Sequence, residues 1–175
     1  MKALAQRVCE TVKTNPITQD PTGNPFKACP PCNNRILLQS KDRLGFTLPE
    51  VLRSIYTNGA NGGFGPGYGL MGVIDGFTDD QKANAVDLYQ NFRTRDPEDK
   101  AWVWPEGLFP FCYWGCAVYS AVKCNAPPYP VYWIDFSVRD IEEPIEKLLC
   151  LQRESLTQWF ENWLEGKDLW VKISD

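Results

Sequence analysis

At 175 residues and 43% apolar content, the chain is long enough for one buried core and too hydrophobic to be disordered. Its longest apolar runs fall well short of the roughly 20 residues that span a bilayer. A net charge of −4 argues against nucleic acid as a partner, because phosphate affinity comes mainly from Lys and Arg.

The sequence contains no histidine, which removes the commonest general base, the usual activator of Ser or Cys, and the commonest zinc ligand. Seven cysteines, an odd count, read as reduced thiols rather than a disulfide framework. Charges at Lys2, Arg7, Glu10 and Lys13 leave no room for an apolar signal core, so the expected location is the cytoplasm.

Taken in order, Leu4, Ala5, Val8, Cys9 and Val12 make an apolar stripe that predicts a helix over Lys2–Lys13. The prolines between Thr14 and Pro31 predict an extended connector without regular structure. Asn33 or Asn34 can cap a second helix ending at Leu44 before Gly45, with Ile36 and Leu37 supplying further apolar contacts. Thr47 is expected to cap a third, where Pro49 occupies an early position and Val51, Leu52, Ile55 and Tyr56 form the buried side.

Six glycines then fall between Asn58 and Leu70. A run this dense predicts a structural loop through Asn61, Gly62, Gly63, Gly65, Gly67 and Gly69, with Gly67 or Gly69 at positive φ. Leu70 to Ile74 read as a short buried strand, and Asp79-Asp80 as the opening of a fourth helix closed by Asp96-Pro97. After a link carrying Trp102 and Trp104, three strands are expected over Leu108–Trp114, Ala117–Cys124 and Val131–Phe136, joined as an antiparallel meander. The segment Arg139–Glu146 reads as a solvated acidic loop, followed by a helix from Ser155 carrying Leu156, Trp159, Phe160, Trp163 and Leu164. Leu169–Ile173 is a candidate edge strand.

No motif identifies an enzyme. Gly67-Tyr68-Gly69-Leu70-Met71-Gly72 matches the dinucleotide pattern GxGxxG, yet a loop precedes it and a strand follows, the reverse of what phosphate binding needs. Cys29-Pro30-Pro31-Cys32 has redox spacing but follows a connector rather than a parallel strand, which favours a turn before a helix. Whether Cys29, Cys32, Cys112 and Cys116 share a metal stays open. Asp75, Glu106 and Asp135 are the carboxylates nearest aromatic segments, with ordinary solvation the commoner reading. Tyr68, Trp104, Trp114 and Trp133 could line a recognition surface, although aromatics at strand spacing are more often core. The chemistry supports an α+β domain without catalytic residues or cofactor. Two acidic clusters, Asp75, Asp79 and Asp80, then Asp140, Glu142, Glu143 and Glu146, are the candidate partner-binding residues.

The stretch LGFTLPEVLRSIYTNGANGGFGPGYGLMGV, the segment WPEGLFPFCYWGC and the helix SLTQWFENWLEG together resemble the SUKH superfamily of Smi/Knr-like proteins. The likeness rests on Leu48-Pro49, Leu52 and Tyr56, on Asn61-Gly62-Gly63, on Gly115-Cys116, and on Trp159 to Leu164, in that order. It covers 30–166, leaving 1–29 as an N-terminal helix and proline-rich connector of one domain. The resemblance implies a largely antiparallel sheet flanked by helices and no catalytic residues. It also implies a non-enzymatic immunity protein that binds and neutralises a cognate bacterial toxin, often a nuclease. A general intracellular adaptor is the alternative reading, and a carboxylate- or cysteine-dependent enzyme the third. A protein partner with a basic face would suit the acidic chain.

Overall fold

The computed structural model describes residues 2–94, 97–140 and 143–171. Among the described residues five helices flank a five-stranded antiparallel sheet: α1 (Lys2–Thr14), α2 (Asn34–Leu44), α3 (Glu50–Asn58), α4 (Ala85–Arg93) and α5 (Leu156–Leu164). The sheet runs in chain order through β3 (Gly69–Leu70), β4 (Leu108–Gly115), β5 (Val118–Lys123), β6 (Val131–Asp135) and β7 (Cys150–Arg153). A separate antiparallel hairpin pairs β1 (Ile17–Gln19) with β2 (Pro25–Lys27).

Local chemistry accounts for several boundaries. The Asn33 side chain accepts the Ile36 N–H at 3.0 Å and starts α2, while Gly45 ends it at φ 80. Ser155 accepts the Gln158 N–H at 3.1 Å and starts α5. The meander β4–β5–β6 has the expected antiparallel pairing, with Tyr113 opposite Tyr119 and Ser120 opposite Trp133.

Successive strand residues point to opposite faces of the sheet. On one face Phe111 meets Trp159 and Phe160 of α5, with ring centroids 4.9 and 6.3 Å apart. A buried polar chain lies here: Trp114 Nε1 donates to Ser120 Oγ at 2.7 Å, and Ser120 Oγ donates to Gln152 Oε1 at 2.8 Å. Trp159 Nε1 donates to the same Oε1 at 3.0 Å, while Gln152 Nε2 donates to the Leu169 carbonyl at 2.7 Å. Trp170 stacks edge-on against Trp133 and Trp114 beside this chain. On the other face Phe92 of α4 packs on Tyr119 at 5.8 Å.

Six expectations are corrected. The connector holds a hairpin, whose strands are too short to leave a periodic pattern. Pro49, not Thr47, stands at the cap position of α3 and makes no side-chain capping bond. The first sheet strand is only Gly69–Leu70, because the Asn61 side chain takes the groups a longer strand would pair: Oδ1 accepts Val73 N–H at 2.9 Å and Nδ2 donates to Ile74 O at 3.0 Å. Helix α4 starts at Ala85, capped by Asn84, since Lys82 at φ 66 interrupts any helix from Asp79. The acidic loop instead leads through a 3-10 turn, Ile145–Leu148, into strand β7. In the candidate edge strand, 169–171 are not a strand, and Lys172 and Ile173 lie outside the described residues, as does Asp96.

Gly62, Gly63, Gly65, Gly67 and Gly69 all take positive φ. Gly62 shows why: a Cβ there would come within 2.5 Å of the Gly72 nitrogen and 2.6 Å of the Leu70 carbonyl, both backbone atoms of the facing loop. At Gly166, also at φ +68, a Cβ meets nothing within 4 Å. Gly166→Ala is therefore expected to lose about 1 kcal/mol from backbone strain alone, whereas Gly62→Ala should lose more than about 3 kcal/mol. Urea unfolding of both variants checks this, and equal losses would show that the close approach is not what requires glycine.

Candidate functional site

The first acidic cluster sits on the loop between β3 and α4, which Asn61 shapes from below. Asn61 is buried, and besides its two side-chain bonds its carbonyl accepts the Phe77 N–H at 2.9 Å. Asp75 is exposed at the tip of that loop, at φ 60. Asp79 is not solvated as expected: it is buried, and its Oδ1 accepts the N–H groups of Gln81 at 3.0 Å and Ala83 at 2.9 Å. An aspartate folds its own chain in this way when its carboxylate satisfies N–H groups two to four residues on. Asp80, next to it, remains exposed.

These carboxylates lie over tyrosines of the sheet. Burial first, and then the Asp80 charge, push the Tyr113 phenol up to about 12. Tyr119 is raised by burial and then by Asp79, Tyr113 and Asp80. The rings form a row, Tyr68 to Tyr113 at 5.5 Å, Tyr113 to Tyr119 at 5.2 Å, Tyr119 to Phe136 at 6.0 Å and Phe136 to Trp102 at 5.5 Å. The Arg139 guanidinium closes the row, 5.1 Å from the Trp102 ring centroid.

Arg139 opens the second acidic cluster and pins it. Its Nη1 pairs with Asp99, and Nε and Nη2 donate to the Glu143 carbonyl at 3.2 and 2.8 Å. Ile145 and Leu148 are buried just beyond. The described parts of the segment, 139–140 and 143–148, are thus tied to the body of the domain by Arg139, Ile145 and Leu148. Asp140 and Glu146 are exposed on it, and Glu143 bonds Lys147 at 3.0 Å. Glu142 lies outside the described residues. The aromatic row therefore connects the two acidic segments, which local sequence separates by some sixty positions and which no spacing rule joins.

Other sequence candidates take structural places. Trp104, Trp114 and Trp133 are buried, and only Tyr68 of that group is partly open. Cys29 and Cys32 lie in an irregular segment before α2 and not in the expected turn, their N–H groups bonded to the distant carbonyls of Gly62 at 3.0 Å and Tyr56 at 2.9 Å, and burial pushes both thiols up. That shift is opposite to what a redox dithiol needs. Cys112 is buried, while Cys116 is exposed at the β4–β5 turn. Among the described residues no three His, Cys, Asp or Glu side chains are grouped to hold a metal. Asp135 caps the turn Phe136–Val138 through Ser137, and Glu106 is exposed. Among the described residues no helix is long and apolar enough to cross a membrane.

A model of the SMI1/KNR4 family (SUKH-1) matches residues 31–165, from the segment before α2 to the end of α5. No curated protein matches the chain.

Because the fold keeps the Tyr113 phenol neutral past the ordinary value near 10, its contribution to stability is intact below about pH 10. It drains away as pH rises toward about 12. Ultraviolet titration should show a late-ionising phenol that Asp80→Asn moves to lower pH, and an unmoved titration would detach Asp80 from Tyr113. The side chains of the Arg139–Asp99 pair are only 9% and 11% exposed. Arg139→Met should accordingly lose about 3 kcal/mol in urea unfolding. A loss below about 1 kcal/mol would show that the segment is held by Ile145 and Leu148 alone.

Proposed function

The chain belongs to the SMI1/KNR4 family (SUKH-1), and on that footing we propose that it acts by binding a protein, not by catalysis, as an immunity protein that neutralises a toxin in the cytoplasm. The observation that carries this reading is the acidic face. Asp80, Asp140 and Glu146 are exposed on two segments whose own backbone is tied down by Asp79 and Arg139, with the aromatic row running between them. Carboxylates on a rigid support can meet a cationic surface without an ordering cost, and such complementarity accelerates encounter and rejects wrong partners. A nuclease-type toxin fits this description, since its nucleic-acid groove must be cationic. The absence of histidine in the sequence suits a role in which no proton is moved at neutral pH.

The test begins with a partner retrieved from the native host on the immobilised chain, followed by association kinetics at low and high salt. Asp140→Lys with Glu146→Lys alters only exposed side chains. The wild-type association rate should fall steeply with salt, and the double variant should associate about tenfold more slowly. A rate indifferent to salt and to charge reversal would sink the acidic-face reading. Co-expression separates the two binding roles: an immunity protein restores growth to cells producing the partner, whereas an adaptor binds it without affecting toxicity.

A further inference from the structure

A second surface of opposite character lies between α2 and the turn into α3. It is a groove of about 360 Å³ whose apolar wall is Leu37, Leu38 and Leu48. Its polar lining includes Lys41 and Arg53, and no carboxylate. The groove is therefore locally opposite in sign to a chain with 22 acidic against 18 basic residues. Four cations elsewhere are ion-paired: Arg43 with Asp87, Arg139 with Asp99, Lys147 with Glu143 and Lys167 with Glu165. Among the described residues Lys41 and Arg53 have no such ion pair. Arg53 Nε donates to the Leu48 carbonyl at 3.0 Å, which anchors the guanidinium at the groove wall.

Leu38 is 60% exposed in the middle of this wall. Helix α2 turns Ser40 and Leu44 inward and leaves Leu38 and Lys41 on the open side. An apolar strip bounded by two unmatched cations selects its occupant. A wholly apolar ligand would leave the charges unused, and a basic one would be repelled. A segment carrying carboxylates beside leucine-like side chains satisfies both features, as amphipathic segments do when they dock in grooves.

We propose that the α2–α3 groove is a docking site for an acidic, leucine-bearing peptide segment of a partner protein. No residue of the two acidic clusters lines it, so the proposal stands independently of the acidic face. Together the two surfaces would let one chain hold two partners of opposite charge.

The probe is a dye-labelled peptide of alternating Glu-Glu and Leu-Leu pairs, followed by fluorescence anisotropy with the full chain. Controls replace every Glu with Lys, or every Leu with Ser. The Glu/Leu peptide should bind, more weakly as salt rises, and both control peptides should fail. Leu38→Ser with Lys41→Glu should bind it about tenfold more weakly at an unchanged melting temperature. Lys41→Glu alone, at an exposed residue, should reproduce part of that loss if the double variant unfolds. No binding of the Glu/Leu peptide, equal binding of the Lys peptide, or an undiminished affinity in both variants would overturn the proposal. Concentration-dependent dimerisation of the wild type, abolished by the same substitutions, would assign the groove to a second copy and also overturn it.

Discussion

The amide of Asn61 is the constraint on which the glycine stretch and everything beside it depend. Its side chain holds Val73 and Ile74, its carbonyl holds Phe77, and its own N–H reaches Cys29 at 3.3 Å. One buried residue thus joins the segment before α2, the glycine loop and the loop bearing Asp75. A buried amide has no water to fall back on, so each of these bonds is costly to leave unmade. The crowding follows from it. A Cβ at Gly76 would lie 2.5 Å from the Asn61 Cγ, and one at Gly72 would lie 2.4 Å from the Asn61 carbonyl. Gly72 and Gly76 are there because two stretches of backbone are drawn together around that residue.

The same arrangement places charge. With Asn61 setting the loop's base, Asp79 closes the next turn and delivers Asp80 above Tyr113, while Arg139 performs the matching task for the segment at the far end of the aromatic row. In each case one ionic side chain is buried to build the scaffold and its neighbours remain in water. The exposed carboxylates Asp80, Asp140 and Glu146 and the cations Lys41 and Arg53 of the α2–α3 groove then lie on separate parts of the chain, in a molecule whose net charge alone would suggest only repulsion of anions.

What could be read from the sequence was what neighbours decide. The caps Asn33 and Ser155, the stop at Gly45, the α5 stripe and the meander strands are all written within a few residues of where they act. The errors came where a distant partner decides. Strand β7 was unreadable because Gln152 is polar at a buried position, and its satisfaction requires Trp114, Ser120 and Trp159 from three other elements. Arg139 looked like part of a solvated run because Asp99 lies far back in the chain. Asp79 and Asp80 are indistinguishable as letters, yet one is interior and the other exposed. The family likeness placed the fold correctly, but no motif within it marks which carboxylates face water.

The indoles of Trp114, Trp133 and Trp170 give the sheet a property of a different kind. Trp133 and Trp170 have ring centroids 4.7 Å apart and Trp114 and Trp170 5.8 Å apart, both steeply inclined. Transition dipoles this close and this oblique couple, and their circular dichroism near 290 nm depends on fixed tertiary packing. Since Trp170 is still 49% exposed, the docking of the last described segment against the sheet is an optical signal intrinsic to the chain, legible without any label.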